Sequence, residues 1–291
     1  MKPGVSEETR KTLLSFQKNE ITEHIIYSRL ARSCRDKKNC GVLARISEDE
    51  LRHYKIWKKY TGADVMPKLL TVWKYYLISI ILGITFGIKL MENGEKGAQK
   101  TYRRIAKEIP EAGKVEKEEE AHERGLIAMI REERLDYVGS IVLGLNDALV
   151  ELTGALAGLT FALQNATLVA LAGLVTGIAA AFSMGASEYL SSKAEGNKNA
   201  GRSSLYTGVT YMITVALLVA PFLLFSNLVL SLASTLAIAL VVIFLFTFYI
   251  SVAKDLPFRR RFLEMAGISM GVAGLSFLIG LIVKAALGIG V

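Results

Sequence analysis

The sequence predicts an all-α chain of two unlike parts: a cytosolic four-helix bundle over residues 1–135, then a membrane domain of five transmembrane helices over 136–291. Three observations predict it. Charge is divided unevenly, since the first 136 residues hold 27 of the 35 Lys+Arg and 21 of the 27 Asp+Glu. Five long apolar stretches follow Asp136. Before it, four segments repeat apolar residues in steps of three and four, with carboxylates and histidines set into the repeat. The averages of 52% hydrophobic residues and mean hydropathy +0.36 conceal this division. No soluble domain is so poor in charge over its second half, and no membrane bundle so rich over its first, so a single soluble globule and a disordered chain are both excluded.

Helical segments are expected near 6–33, 41–60, 67–107 and 110–134, with Pro67 and Pro110 in first turns, where proline is tolerated. The stripes read Leu13, Phe16, Glu20, Glu23, Tyr27, Leu30 on the first, and Leu43, Ile46, Glu50, His53, Trp57 on the second. On the third they read Ile81, Thr85, Ile88, Glu92, Glu95, and on the fourth Val115, Glu119, His122, Leu126, Met129. In each, acids and histidines replace apolar residues on the core-facing side. A buried carboxylate costs several kcal/mol unless paired or metal-bound, so the pattern implies cations at the centre. Glu on one helix, Glu-x-x-His on the next, Glu on the third and Glu-x-x-His on the fourth match a di-metal carboxylate bundle, whose oxygen donors and imidazoles suit Fe or Mn. The candidate ligands are Glu20, Glu50, His53, Glu92, Glu95, Glu119 and His122. Asp49, Glu118 and Glu120 fall off the stripe and read as surface residues. Glu23 and His24 have no assigned role. Leu69 to Met91 is long enough to span a membrane, but it contains Lys74 and runs into Glu92 and Glu95. It reads as a buried helix of the first domain that packs against a partner copy.

In the second half the spans fall near 138–163, 168–190, 205–225, 228–252 and 262–287, each long enough to cross a core of about 30 Å. Their connections alternate. Gln164 to Thr167 and Ser226-Asn227 carry no charge, whereas Lys193, Lys198, Arg202 and then Lys254, Arg259, Arg260, Arg261 mark the other two. Basic loops face the cytosol, which places the first domain in the cytosol and the C-terminus outside. The net charge of +8 is therefore a record of membrane orientation, and nucleic acid is not an expected partner. Asp147 and Glu151, four apart, share a face of the first span, and Glu188 with Met184 share a face of the second. Carboxylates inside a membrane are costly and line ion or proton paths, so these four are the candidate transport path. Lys284 reads as a snorkelling anchor. Gly154/Gly158, Gly173/Gly177 and Gly267/Gly271 have the spacing that permits close helix packing. Cys34 and Cys40 have neither zinc-type nor redox-type spacing and read as reduced thiols. Met1 to Gln17 is charged and amphipathic, unlike a signal peptide.

Two resemblances follow from these residues. The first 134 residues resemble the rubrerythrin branch of ferritin-like proteins, with the extra acid in Glu92-Asn93-Gly94-Glu95 carrying the likeness, although the Cys-x-x-Cys rubredoxin module is missing. The second half resembles the vacuolar iron transporter family through Gly144-Leu145-Asn146-Asp147-Ala148-Leu149-Val150 and Ser183-Met184-Gly185-Ala186-Ser187-Glu188-Tyr189. The latter resemblance implies five spans, a homodimer, and export of Fe2+ from the cytosol in exchange for protons. Asp147 and Glu188 would line the path, with Met184 a soft neighbour. That family's plant-type members carry a metal-binding insert between spans two and three, where this chain has only Lys193 to Arg202; the fused bundle would take that role, as in membrane-bound ferritins. The combined expectation is a cell-membrane Fe2+ (or Mn2+) transporter whose di-iron bundle captures, oxidises or senses the metal, with ferroxidase activity an option. The rival expectation is a membrane-anchored di-iron oxidase or peroxidase, against which five spans and a deep Asp147 count.

Overall fold

The computed structural model describes residues 5–34, 36–95, 101, 105–106, 108–129 and 137–287, without the side chains of 92–95, 123–129 and 287. Among these residues all regular structure is helical, in ten helices. The chain divides into two compact units, Met1–Glu132 and Glu133–Val291.

In the N-terminal unit, α1 (Glu7–Ser33) starts at Ser6, whose side chain accepts from the Thr9 N–H, and Glu7 and Glu8 complement the positive end of the helix. The carboxylate of Asp36 accepts from the Lys38 and Asn39 N–H groups, so α2 (Lys37–Thr61) begins four residues earlier than its apolar pattern suggested. It ends at Gly62, whose φ of 66° suits a residue without Cβ. The two helices run antiparallel: Gln17 Nε2 donates to the Ala63 carbonyl at 2.8 Å, and His24 Nδ1 lies 2.7 Å from the Ser47 carbonyl. The end of α1 therefore meets the start of α2. The expectation that Cys34 and Cys40 are reduced thiols is corrected by this geometry: their Cα atoms are 5.7 Å apart and a disulfide joins them.

The expected third helix is also revised. Gly83, at φ 108°, divides it into α3 (Leu69–Leu82) and α4 (Ile84–Glu95). The chain bends there so sharply that Ser79 and Gly87 meet, and a Cβ on Gly87 would lie 1.9 Å from Ser79 Oγ. The break splits the stripe as well: Thr85 and Ile88 are buried while Ile81 is exposed. Within the single chain α3 is only partly buried, and the expected packing against a partner copy is not tested by it. It buries Val72 and Ser79 but leaves Leu70, Trp73, Leu77 and Ile81 in the open. The last helix of the unit, α5 (Pro110–Met129), buries Ala112 and Val115. Two apolar clusters result, one around Leu13, Phe16, Trp57, Ile109 and Val115, the other around Ile26, Leu30, Leu43, Ile46, Val72 and Ile88. Along α1 and α2 the buried carboxylates and His53 fall in the layer between them.

The second unit contains α6 (Val138–Leu163), α7 (Ala166–Ala194), α8 (Ala200–Leu224), α9 (Leu228–Lys254) and α10 (Phe258–Leu287). All five are long and apolar enough to cross a membrane. The uncharged turns are short because asparagine closes them: Asn165 and Asn227 accept from the Leu168 and Leu230 N–H groups. Glycines set the contacts of α6. A Cβ on Gly144 would lie 2.4 Å from the Thr207 carbonyl oxygen of α8, and one on Gly280 of α10 would lie 2.6 Å from the Gly158 oxygen.

Candidate metal centre and membrane carboxylates

The layer between the two apolar clusters is built from three helices. Glu20 comes from α1, Glu50 and His53 from successive turns of α2, and Glu119 from α5; one ligand atom from each lies within 4.8 Å of the others. His53 is fully buried, with Nδ1 2.9 Å from Glu119 Oε1, 3.3 Å from Glu50 Oε2 and 3.6 Å from Glu20 Oε2. His122 points Nδ1 toward Glu50 Oε1 at 3.5 Å. Trp57 Nε1 donates to Glu20 Oε1 at 2.9 Å, which fixes that carboxylate from the side of the aromatic cluster. The buried atoms Glu119 Oε1 and His122 Nδ1 have no aligned hydrogen-bond partner. Buried polar atoms are ordinarily paired in good geometry, so two that meet His53 and Glu50 only out of line, within one cluster of carboxylates, fit a cation, and the hard-oxygen and imidazole donor set suits a divalent metal.

The charges of the metal-free cluster are strained by burial. Desolvation, only partly offset by the hydrogen bond to His53, pushes the Glu20 carboxyl up to about 7, and the nearby Glu50 charge adds to the rise. Burial also raises Glu119. Burial alone would lower both imidazoles, but the surrounding carboxylates outweigh it, raising His53 and bringing His122 to about 9. The cluster thus stores protons where a metal would place positive charge.

The outward sides of the two histidines show an arrangement that periodicity did not find. His53 Nε2 lies 3.0 Å from Glu118 Oε2, and His122 Nε2 lies 2.8 Å from Asp49 Oδ2. Arg52 joins the two, donating to Asp49 at 2.5 Å and to Glu118 at 3.0 Å. Each helix thus supplies the acid that holds the other helix's imidazole. The reading of Asp49 and Glu118 as surface residues is corrected: each precedes a candidate-ligand glutamate by one position, which turns it toward the partner helix's histidine. That adjacency was the available signal. Such outer carboxylates fix the tautomer and ring orientation of a metal-binding histidine.

Other candidates are placed elsewhere. His24 bonds to Ser47, whose hydroxyl donates in turn to the His24 carbonyl at 2.9 Å, so it staples α1 to α2. Glu23 is buried beside a cavity of about 200 Å3 that Asn19, Lys68 and Tyr75 also line. Glu92 and Glu95 end α4, and their side chains lie outside the described residues, as do those of Leu126 and Met129.

In the membrane unit, Glu188 Oε1 accepts from Ser140 Oγ on α6 at 2.8 Å and from Ser192 Oγ on α7 at 3.1 Å. Glu151 Oε2 accepts from the buried Tyr211 hydroxyl at 2.8 Å. Asp147 lies half-buried one turn before Glu151, and Met184 packs at the edge of the apolar core. Among the described residues no Lys, Arg or His forms an ion pair with Asp147, Glu151 or Glu188.

Residues 138–200, which cover α6, α7 and the connection to α8, match the model of the VIT family. Together with five apolar helices, that match supports a VIT membrane domain and a membrane metal-ion transporter. No curated protein matches the chain.

Proposed function

We propose that the chain exports Fe2+, and Mn2+ by the same route, from the cytosol across the cell membrane in exchange for protons. One observation carries the reading: three carboxylates sit on apolar spans with no ion pair to a Lys, Arg or His among the described residues. Ionised carboxylates are expensive at such depth and are kept where a cation or proton visits. Asp147, Glu151 and Glu188, with Met184 as a soft neighbour, form the path, and the exposed carboxylate face of α6 is covered by a second copy in a homodimer. The loops with Lys193, Lys198, Arg202, Lys254 and Arg259 to Arg261 lie in the cytosol, which sets the orientation of the path, and the proton gradient sets the direction of flux.

The N-terminal unit is the capture site of a ferritin-like, rubrerythrin-type bundle. Glu20, Glu50, His53, Glu119 and His122, with Glu92 and Glu95 from α4, hold a di-iron centre, and a bound iron pair would supply ferroxidase chemistry. The protein's own part is to fix the imidazoles through Asp49, Glu118 and Arg52, and to give up the protons of the cluster as metal enters.

Purified protein in liposomes with an imposed pH gradient, loaded with an Fe2+-sensitive dye, tests the reading. The expected result is gradient-driven Fe2+ flux that falls about tenfold or more in Asp147→Ala and Glu188→Ala. Unchanged flux in both variants rejects the path. Peroxide turnover without any flux in the unaltered protein replaces the transporter by the membrane-anchored oxidase.

A further inference from the structure

The pair Glu151–Tyr211 sits at the wall of a cavity of about 440 Å3 lined by α6, α7, α8 and α10. Gly154, Gly158 and Gly280 line it where α6 and α10 pack closely, and Thr176 and Ser276 add hydroxyls to an otherwise apolar lining. The position of the cavity along the helices is informative. It draws on the second half of α6, the first half of α7 and the second half of α10. It therefore belongs to the side with the uncharged Gln164-Asn165 turn, opposite the basic loops.

Glu151 follows Asp147 by one helical turn, about 6 Å further toward that side. The two carboxylates differ in their surroundings. Tyr211 is fully buried and its hydroxyl donates to Glu151 at 2.8 Å, whereas no side chain is hydrogen-bonded to Asp147 among the described residues. A donated O–H occupies one lone pair of the carboxylate and takes up part of its charge, leaving a weaker ligand than a carboxylate with all its lone pairs open. A cation leaving a carboxylate must also recover water. Six waters occupy about 180 Å3 at about 30 Å3 each, and the cavity exceeds that.

We propose that Glu151, held by Tyr211, is the release site for a divalent cation on the side away from the basic loops, and that the cavity is the vestibule in which the ion rehydrates. Tyr211 is a positioning residue: it acts on the ion through Glu151. The proposal rests on the transport reading above and adds to it an order, with Asp147 loaded before Glu151 is emptied.

The test uses the full chain in liposomes, oriented with the basic loops facing the medium, and Fe2+ under anaerobic conditions as the probe. Tyr211→Phe removes only the hydroxyl; Glu151→Gln keeps the shape and an acceptor for Tyr211 but removes the charge; Glu151→Asp is the conservative rescue. The expected result is a maximal flux about tenfold lower in Tyr211→Phe and Glu151→Gln, with partial recovery in Glu151→Asp. The half-saturating Fe2+ on the basic-loop side stays unchanged. Inhibition by Fe2+ placed on the far side shifts about tenfold in Glu151→Gln. Flux and far-side inhibition equal to the unaltered protein in both variants, with Asp147→Asn inactive, overturn this proposal and leave the transport reading standing. A shift in half-saturation on the basic-loop side also overturns it, since Glu151 would then belong to the loading site. Absence of flux in the unaltered protein, or full flux in Asp147→Asn, rejects the transport reading and this proposal with it.

Discussion

Two hydrogen bonds on the outward nitrogens of His53 and His122 determine what the cluster can hold. With Glu118 and Asp49 accepting there, both rings present Nδ1 inward, toward the carboxylates of Glu20, Glu50 and Glu119. Removing the charge in Asp49→Asn, or the link in Arg52→Gln, is expected to lower metal affinity by about 10- to 100-fold, with the helical signal unchanged. Calorimetric titration of Fe2+ or Mn2+ beside circular dichroism measures both. Proton competition gives a second expectation. Glu20 keeps its proton up to about pH 7 and His122 up to about pH 9 in the metal-free cluster, with His53 raised as well, and a ligand must be deprotonated to bind. Affinity therefore rises through that region and falls as the pH drops below it, by up to about tenfold per pH unit for each proton displaced. An affinity flat between about pH 8 and about pH 6 contradicts the placement of Glu20 in the cluster. At this scale the sequence was informative for Glu20, Glu50, His53 and Glu119, because each interrupts an apolar stripe. For Asp49 and Glu118 it offered only their adjacency to Glu50 and Glu119, because their role depends on how two helices face each other and not on one helix's period.

Among the elements, α6 is the most constrained. Gly158 lies against the Ser276 carbonyl, 3.0 Å from where its Cβ would be, and Gly173 and Gly177 meet Leu156 and Val215 at 2.7 and 2.6 Å. Gly267 and Gly271 meet nothing within 4 Å. The same small-residue spacing therefore has a packing role at two places and none at the third within this chain, a distinction that spacing could not make. Gly158→Val is expected to destabilise the membrane unit by about 1–3 kcal/mol, whereas Gly271→Val leaves the chain's own packing unaltered. Thermal melts of the two variants in detergent compare them. The five apolar helices were legible in sequence to within a few residues at their ends, since length and hydropathy suffice for a span. The third helix of the first unit was not, because hydropathy runs unbroken through Gly83 and the break is conformational. Loss of the turn at Gly83 is a steric matter: φ near 108° is open to glycine and closed to a residue with a side chain.

For the whole molecule, polarity along the sequence reports both the units and their environment. The proposed topology predicts that a tag on the N-terminus is reached by protease from the cytosolic side and a tag on the C-terminus only from the other. Protection of both tags, or exposure of both, in right-side-out vesicles rejects it. The resemblance to a ferritin-like bundle rested on where carboxylates fall in the stripes, and the three helices that meet at the cluster are the part of that pattern with described side chains. The match over 138–200 is the part of the membrane resemblance that an independent comparison supports.

The break at Gly83 has a consequence for parity. Residues 69–91 have the hydrophobicity of a membrane span, but α3 stops after 14 residues, a rise of about 21 Å against a core of about 30 Å. A continuous helix through that stretch would be long enough to insert, and would turn an odd number of crossings into an even one. Glu20 and Glu50 would then stand in a different compartment from Glu119, and no cluster could assemble. The break at Gly83 thus leaves five of the described helices, and not a sixth over 69–91, long and apolar enough to cross a membrane, and it leaves Glu20, Glu50 and Glu119 in one cluster.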